Sequence, residues 1–345
     1  TFLPKAFSSE DALAAMKTTL GHLPPSTENA MDNELRQKIF DYLVEEEDYR
    51  GAANILATLR MESQDTDSPY YKNPAERTDV YVNIAECFLN EEDIVEAETF
   101  VTKAGSSVES IGEENAEQHI ALILRYKSTY ARVLDANRKF LQAAGRYYDL
   151  SQVGNTTNII DADDLVEFLG RAATCAILAP SGSQRQRILG LVYKDSRLLQ
   201  LDEIPHFSTH SSILSKMYMT QVIKRDKDFV QFEDSLGDHQ KALMSDGLTI
   251  MERALIEHNM VAVGQLYSTI HFTALGRLLG VSAERAEKIA SKMILEKSLV
   301  GSIDQVDGIL TFGELHRSEL VAWDEAIVSF CTQLNSVTDA VRQMA

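Results

Sequence analysis

The chain has 345 residues, 44% hydrophobic and 25% charged, with 33 Lys and Arg against 52 Asp and Glu, a formal net charge of −19 and a sequence pI near 4.8. That length suffices for two domains and a large buried core, and the composition excludes wholesale disorder. No run of eighteen apolar residues exists to cross a membrane as a helix, and no n-region, apolar core and small-residue cleavage site open the chain.

Residues 1–34 carry Pro4, Pro24, Pro25 and the polar run Ser26-Thr27-Glu28-Asn29 around one short helical segment, Asp11 to Leu20, and are expected to be a lead-in segment. The opening residue is Thr1 rather than Met, so an N-terminal piece is expected to have been removed. From Leu35 the pattern turns helical. Leu35, Ile39, Phe40, Leu43 and Val44 form a stripe, followed by Tyr49, Ala52, Ala53, Leu56 and Leu59. Beyond a loop at Asp65–Pro69, Val80, Ile84, Cys87 and Phe88 precede Ile94, Ala97, Phe100, Val101 and Ala104. A third pair runs from Ala121 to Leu134 and then through Phe140, Ala143, Ala144, Tyr147 and Leu150. A fourth joins Leu165–Leu178 to Ile188, Leu189 and Val192. Ala52, Ala97, Ala143 and Ile188 recur about every 45 residues, the period of a two-helix solenoid. Residues 35–205 are therefore read as a helical-repeat arm, tetratricopeptide- or HEAT-like, with an irregular helical domain as the alternative. Residues 206–265 form a helical linker with segments near Ile213–Val222, Phe229–Leu236 and Leu248–Leu266.

Residues 266–312 read as a winged helix. Tyr267 to Ile270 suit a short strand, and Phe272, Leu275, Leu278 and Leu279 share a helix face. Gly280 can close that helix in the left-handed conformation, and Ser282 stands where an N-cap belongs. The next helix buries Ala286, Ile289, Ala290, Met293 and Ile294, so the two helices have helix-turn-helix spacing. A hairpin follows, Leu299–Ile303 and Ile309–Phe312, turning at Asp307-Gly308. Between Ser282 and Val300, Glu284, Glu287 and Glu296 stand against Arg285, Lys288, Lys292 and Lys297, a net of plus one. Duplex binding needs several cations facing phosphates, so on an acidic chain no nucleic acid is expected as partner, and a winged-helix nucleic-acid binder is the rival reading.

Residues 313–345 hold Leu320, Trp323, Ile327, Phe330, Leu334, Val337, Val341 and Met344, spaced three and four apart without Gly or Pro. That heptad seam needs a covering surface: helices of other chains in a bundle, or the chain's own repeats.

Residues arranged for catalysis are absent from the pattern. No phosphate loop, dinucleotide glycine motif, nucleophile elbow, Cys-x-x-Cys or His-Glu-x-x-His occurs. His206 and His210 lie four apart but lack a third ligand, and Pro205 with Ser208-Thr209 argues for a helix start between them. Glu45–Asp48 and Asp161–Asp164 read as solvated helix ends, and His239, His258 and His271 as satisfying local hydrogen bonds. Cys87, Cys175 and Cys331 are distant from one another and each sits in an apolar helical pattern, so buried free thiols in a reducing compartment are expected. No enzyme, metal or cofactor is expected.

Helical repeats, a winged helix and a terminal helix on an acidic chain resemble the PCI-domain family, the scaffold subunits of the proteasome lid, the COP-9 signalosome and translation initiation factor three. His239-Gln240-Lys241-Ala242, Gly247 to Asn259, Leu266-Tyr267, Ala286 to Ile294 and Gly301 to Gln305 are similar to the branch represented by the fourth signalosome subunit. The likeness is closest over 229–312; the Ile-Asp-Gln hairpin is general to PCI domains, and Ile256 to Asn259 is the specific part. The implied fold is all-α with a small β hairpin: a repeat solenoid, a winged-helix PCI module and a C-terminal bundle helix.

The resemblance implies a non-catalytic scaffold and substrate-recognition subunit of the signalosome, which deneddylates cullin-RING ubiquitin ligases through a zinc site on another subunit. A proteasome-lid scaffold is the alternative. Implied partners are other PCI and metalloprotease-like subunits, and cullin-RING ligases through the N-terminal arm, with no membrane, in cytoplasm and nucleus. The edge joining neighbouring PCI chains would comprise Leu299, Gly301, Ile303, Ile309 and Thr311, because an open hairpin edge offers unpaired amides and carbonyls. Leu320, Trp323, Ile327, Phe330, Leu334, Val337 and Val341 would enter the bundle. The chain ends sooner than the family pattern implies, so a terminal tail is expected to be missing.

Overall fold

A computed structural model describes residues 16, 18, 30–59, 61, 71–111, 118–153, 160–225, 227–244, 246–313, 323 and 327–334. The expected helical segment at Asp11–Leu20 and the loop at Asp65–Pro69 lie almost wholly outside these residues. Four consecutive helix pairs follow: α1 (Ala30–Glu45) and α2 (Tyr49–Ala57), α3 (Pro74–Asn90) and α4 (Ile94–Ile111), α5 (Ile120–Ala136) and α6 (Phe140–Gln152), α7 (Ala162–Leu178) and α8 (Ser183–Tyr193). The first helix thus begins earlier than residue 35. A 3-10 segment at Ser196–Glu203 leads to α9 (His210–Tyr218), α10 (Lys227–Ser235) and α11 (Ile250–Leu266).

The first three pairs close alike. Glu47, Glu92 and Arg138 adopt the left-handed conformation, with φ of 61°, 60° and 60°. The N–H groups of Asp48, Asp93 and Lys139 each donate, at 2.9 Å, to the carbonyls of Leu43, Phe88 and Leu134. This six-to-one bond, with the shorter bond inside it, satisfies carbonyls that a helix end leaves open. The turns are 45 and 46 residues apart, so the repeat period is a backbone fact. Ala52, Ala97 and Ala143 are fully buried where paired backbones approach, and a larger side chain would force them apart.

The fourth pair departs from the pattern. Ile188 is only half-buried, whereas Leu189 and Val192 are enclosed, which corrects the expectation that Ile188 continues the alanine series. Its turn lacks a left-handed residue: α7 ends with Ala179 extended at ψ 148°. The buried Arg185 of α8 instead donates to the carbonyls of Ala176 and Ile177 at 3.0 and 2.8 Å, capping α7 from the side.

Polar links stitch the arm together. Arg125 on α5 reaches Asp79, Asn83 and Glu86 on α3. Asp135, at the end of α5, is buried and accepts both bonds of the Gln240 amide at 3.0 and 3.2 Å, tying the segment after α10 back to the third pair. The apolar core of the first two pairs centres on Ile39, Leu56, Ile84 and Val101, with Phe88 stacked on Phe100 at 5.8 Å. Each such side chain contributes about 1.5–3 kcal/mol by leaving water.

The described residues divide into two compact units. One holds those up to Pro180, Gln184–Met219 and Ile223–Ala254; the other holds Ser181–Ser183, Thr220–Val222 and those from Leu255 onward. The division falls inside α11, within the stretch 206–265 expected as a linker. In the second unit, Glu257 and His258 are buried yet satisfied: Glu257 accepts from the Ser181 amide at 3.0 Å and His258 Nε2 bonds the Gln221 carbonyl at 2.8 Å. That unit then forms β1 (Thr269–His271), α12 (Phe272–Leu279), α13 (Ala283–Leu295), β2 (Gly301–Asp304) and β3 (Ile309–Phe312). Gly280 closes α12 at φ +71°, and the Ser282 hydroxyl accepts from the Arg285 amide at 3.3 Å, as the sequence predicts.

Two thiols behave as expected and one does not. Cys87 and Cys175 are buried, and burial pushes the Cys87 thiol up to about 11. Cys331 is exposed, because the terminal helix carrying it is uncovered.

Candidate functional site

The winged-helix sheet has the order β1-β3-β2, all antiparallel. β3 is therefore central, with Thr311 opposite both Thr269 and Ser302. The Ile309 and Thr311 backbones are paired inside the sheet, which corrects their assignment to an open edge. The reason is the hairpin itself: Ile309 and Thr311 lie opposite Asp304 and Ser302 with their backbone groups turned to β2, while β1 pairs the other flank of β3.

β2 is a true edge. The Gly313 amide bonds the Val300 carbonyl at 2.8 Å, which fixes the alternation along the hairpin. Ser302 and Asp304 then face β3, and the amide and carbonyl groups of Gly301 and Ile303 point outward. Gly301 is required for close approach, since a Cβ there would stand 2.5 Å from the Thr311 carbonyl oxygen. Leu299 precedes the strand with its side chain buried, so it supports the edge from within. The opposite edge is β1, which falls where the sequence pattern places a short strand, from Tyr267 to Ile270. Its Phe312–Ser268 and Phe272–Gly308 bonds turn Thr269 and His271 outward.

The terminal helix is described at 327–334, with Trp323 also helical. Trp323, Ile327, Phe330 and Leu334 are 69%, 50%, 65% and 55% exposed, so this part of the seam is bare, and Val328 adds a further apolar side chain. Leu320, Val337, Val341 and Met344 lie outside the described residues. Contiguous exposed apolar surface of this kind is uncommon on folded proteins.

Sites of other chemistry do not assemble among the described residues. No group of three His, Cys, Asp or Glu side chains stands where it could hold a metal ion. His206 precedes α9, whereas His210 begins it, so the two do not share a helix face. His210 is buried, with its ring 2.8 Å from the Thr174 hydroxyl, and burial followed by the nearby His206 holds it down at about 3. It is a core histidine. Glu45–Asp48 and Asp161–Asp164 are exposed. No described helix is long and apolar enough to cross a membrane.

Known proteins share both halves of this architecture. Residues 236–314 match the PCI domain profile, and residues 28–162 match the profile described as PSMD12/CSN4, N-terminal. Among curated relatives, the COP9 signalosome complex subunit 4 of Dictyostelium discoideum is 36% identical over 310 residues, covering 90% of this chain and 72% of the relative. That of Arabidopsis thaliana is 36% identical over 312 residues, covering 89% and 73%. That of Drosophila melanogaster is 39% identical over 293 residues, covering 85% and 66%. With likeness running through arm and winged helix alike, the chain belongs to the COP9 signalosome subunit 4 family, a non-catalytic scaffold subunit built on a PCI domain.

Proposed function

We propose that the chain works as an assembly and substrate-recognition subunit of a signalosome, removing no modifier itself. It joins neighbouring PCI chains through the outward groups of Gly301 and Ile303, and enters a helical bundle through the seam from Leu320 to Val341. Its arm meets cullin-RING ubiquitin ligases, from which the complex removes a ubiquitin-like modifier at a metalloprotease-like subunit, in cytoplasm and nucleus. The observation that carries this reading is the bare stripe of Trp323, Ile327, Phe330 and Leu334 on a chain whose family is named for a complex.

The test is affinity purification of the chain from cell extract with mass spectrometry of what accompanies it. Signalosome subunits with cullins support the reading; proteasome-lid proteins or nucleic acid overturn it. A Phe330→Asp/Leu334→Asp variant should lose the other subunits while its circular dichroism is unchanged, because the stripe touches little of its own chain. Ile303→Pro removes an outward donor and spares the pairing with β3. Binding to neighbouring PCI chains should weaken; unaltered binding would remove the edge from the reading.

A further inference from the structure

The arm's charge is unevenly divided among its repeats. Residues 30–57 carry seven carboxylates against three cations and residues 74–111 nine against two, for nets of −4 and −7. Residues 120–152 carry six cations (Arg125, Lys127, Arg132, Arg138, Lys139 and Arg146) against Asp135 and Asp149, a net of +4. Several of these groups are already engaged: Asp135 by Gln240, and Lys139 by Glu98 at 2.5 Å. Arg125 is held by Asp79 and Glu86.

Arg138 and Arg146 are exposed and make no ion pair among the described residues. Both line one cavity of about 510 Å³ within the first unit, where the third pair adjoins α8. Its walls are of two kinds. Arg138, Arg146 and Gln184 are polar, with Asp149 the one carboxylate; Leu141 and Ile188, both half-buried, are apolar. The Arg146 guanidinium lies 5.4 Å from the centre of the Tyr130 ring, which steadies a long side chain without neutralising it. Guanidinium groups bind carboxylates in a forked, charge-assisted geometry, and the apolar wall rewards a hydrophobic neighbour.

We propose that this cavity docks an acidic, partly apolar segment of a partner protein, its carboxylates held by Arg138 and Arg146 and an apolar side chain seated against Leu141 and Ile188. A protein segment suits the site better than an extended polyanion. A long phosphate backbone runs on past the cavity, and wherever it comes within about 8 Å of the acidic repeats it is repelled. The assignment goes beyond the signalosome reading and does not depend on it.

The experiment uses the full chain and a fluorescein-labelled dodecapeptide of Glu and Asp with two central Leu, read by fluorescence anisotropy. Saturable binding that weakens with added salt is expected, as is protection from hydrogen exchange at residues 138–149. Arg138→Glu/Arg146→Glu should weaken binding at least about tenfold, and Arg138→Gln/Arg146→Gln should weaken it less. Lys103→Glu, in the second pair, should leave it unchanged. The exchange measurement needs no variant, so it decides the matter even if the substitutions disturb folding. The proposal is overturned by absence of binding, by protection elsewhere, or by an undiminished affinity in the double variant. It is equally overturned if a Leu-free acidic dodecapeptide or single-stranded DNA of that length binds as well.

Discussion

The turns at Glu47-Asp48 and Glu92-Asp93 carry carboxylates where the turn at Arg138-Lys139 carries cations, although the same hydrogen bonds close all three. The buried residue before each turn is always large and apolar: Leu43, Phe88, Leu134. The two residues that face water are under no such demand. Backbone geometry and core packing thus repeat faithfully, while surface charge is free to reverse from one repeat to the next. The reversal has a local cost. The Asp48 carboxylate accepts the Gly51 amide at 2.9 Å and caps α2, whereas Lys139 cannot accept and leaves α6 without a side-chain cap.

The equivalence is most strongly tested in the core. Leu43→Ala and Leu134→Ala should each lower stability by about 2–5 kcal/mol in urea unfolding, since both side chains are 3% exposed. A far smaller loss at one of them would mean that the two turns are alike in outline only. The boundary of the regular repeats can be probed by acid. His210 packs where the irregular fourth pair meets α9, and its folded value of about 3 lies below the ordinary 6.5. Between those values the unfolded chain takes up a proton that the native chain refuses, so stability is full above pH 6.5 and declines as pH falls toward 3. Thermal melts of His210→Gln should show a flatter decline over that interval. The smallest effect separates the turns themselves: Asp48→Ala should cost about 1 kcal/mol for the lost cap, and Lys139→Ala about 0.5 kcal/mol or less. Equal losses would erase the contrast.

Much of this was legible along the chain. The 45-residue spacing of Ala52, Ala97 and Ala143, the stop at Gly280 and the cap at Ser282 are local patterns, and local patterns decide helix ends. What escaped was decided at a distance. Asp135 and Gln240 are 105 residues apart, and neither announces its partner. The central place of β3 depends on a three-residue strand before two helices, which the residues from Tyr267 to Ile270 suggest without naming the strand it pairs with. Ile188 fell on the right interval yet missed the core, because Arg185 rather than a left-handed turn closes that pair. The seam was readable from its spacing, but its bareness, and hence the exposure of Cys331, required knowing what the rest of the unit left uncovered.

Cys331 follows Phe330 directly, beside the bare stripe, while Cys87 and Cys175 are sealed in the arm. The molecule therefore carries its own chemical footprint of occupancy. A maleimide dye should react quickly with one sulfur in a solitary copy and slowly once another helix lies over the stripe. Labelling kinetics would then count covered against uncovered chains in an extract, with no tag added beside the stripe.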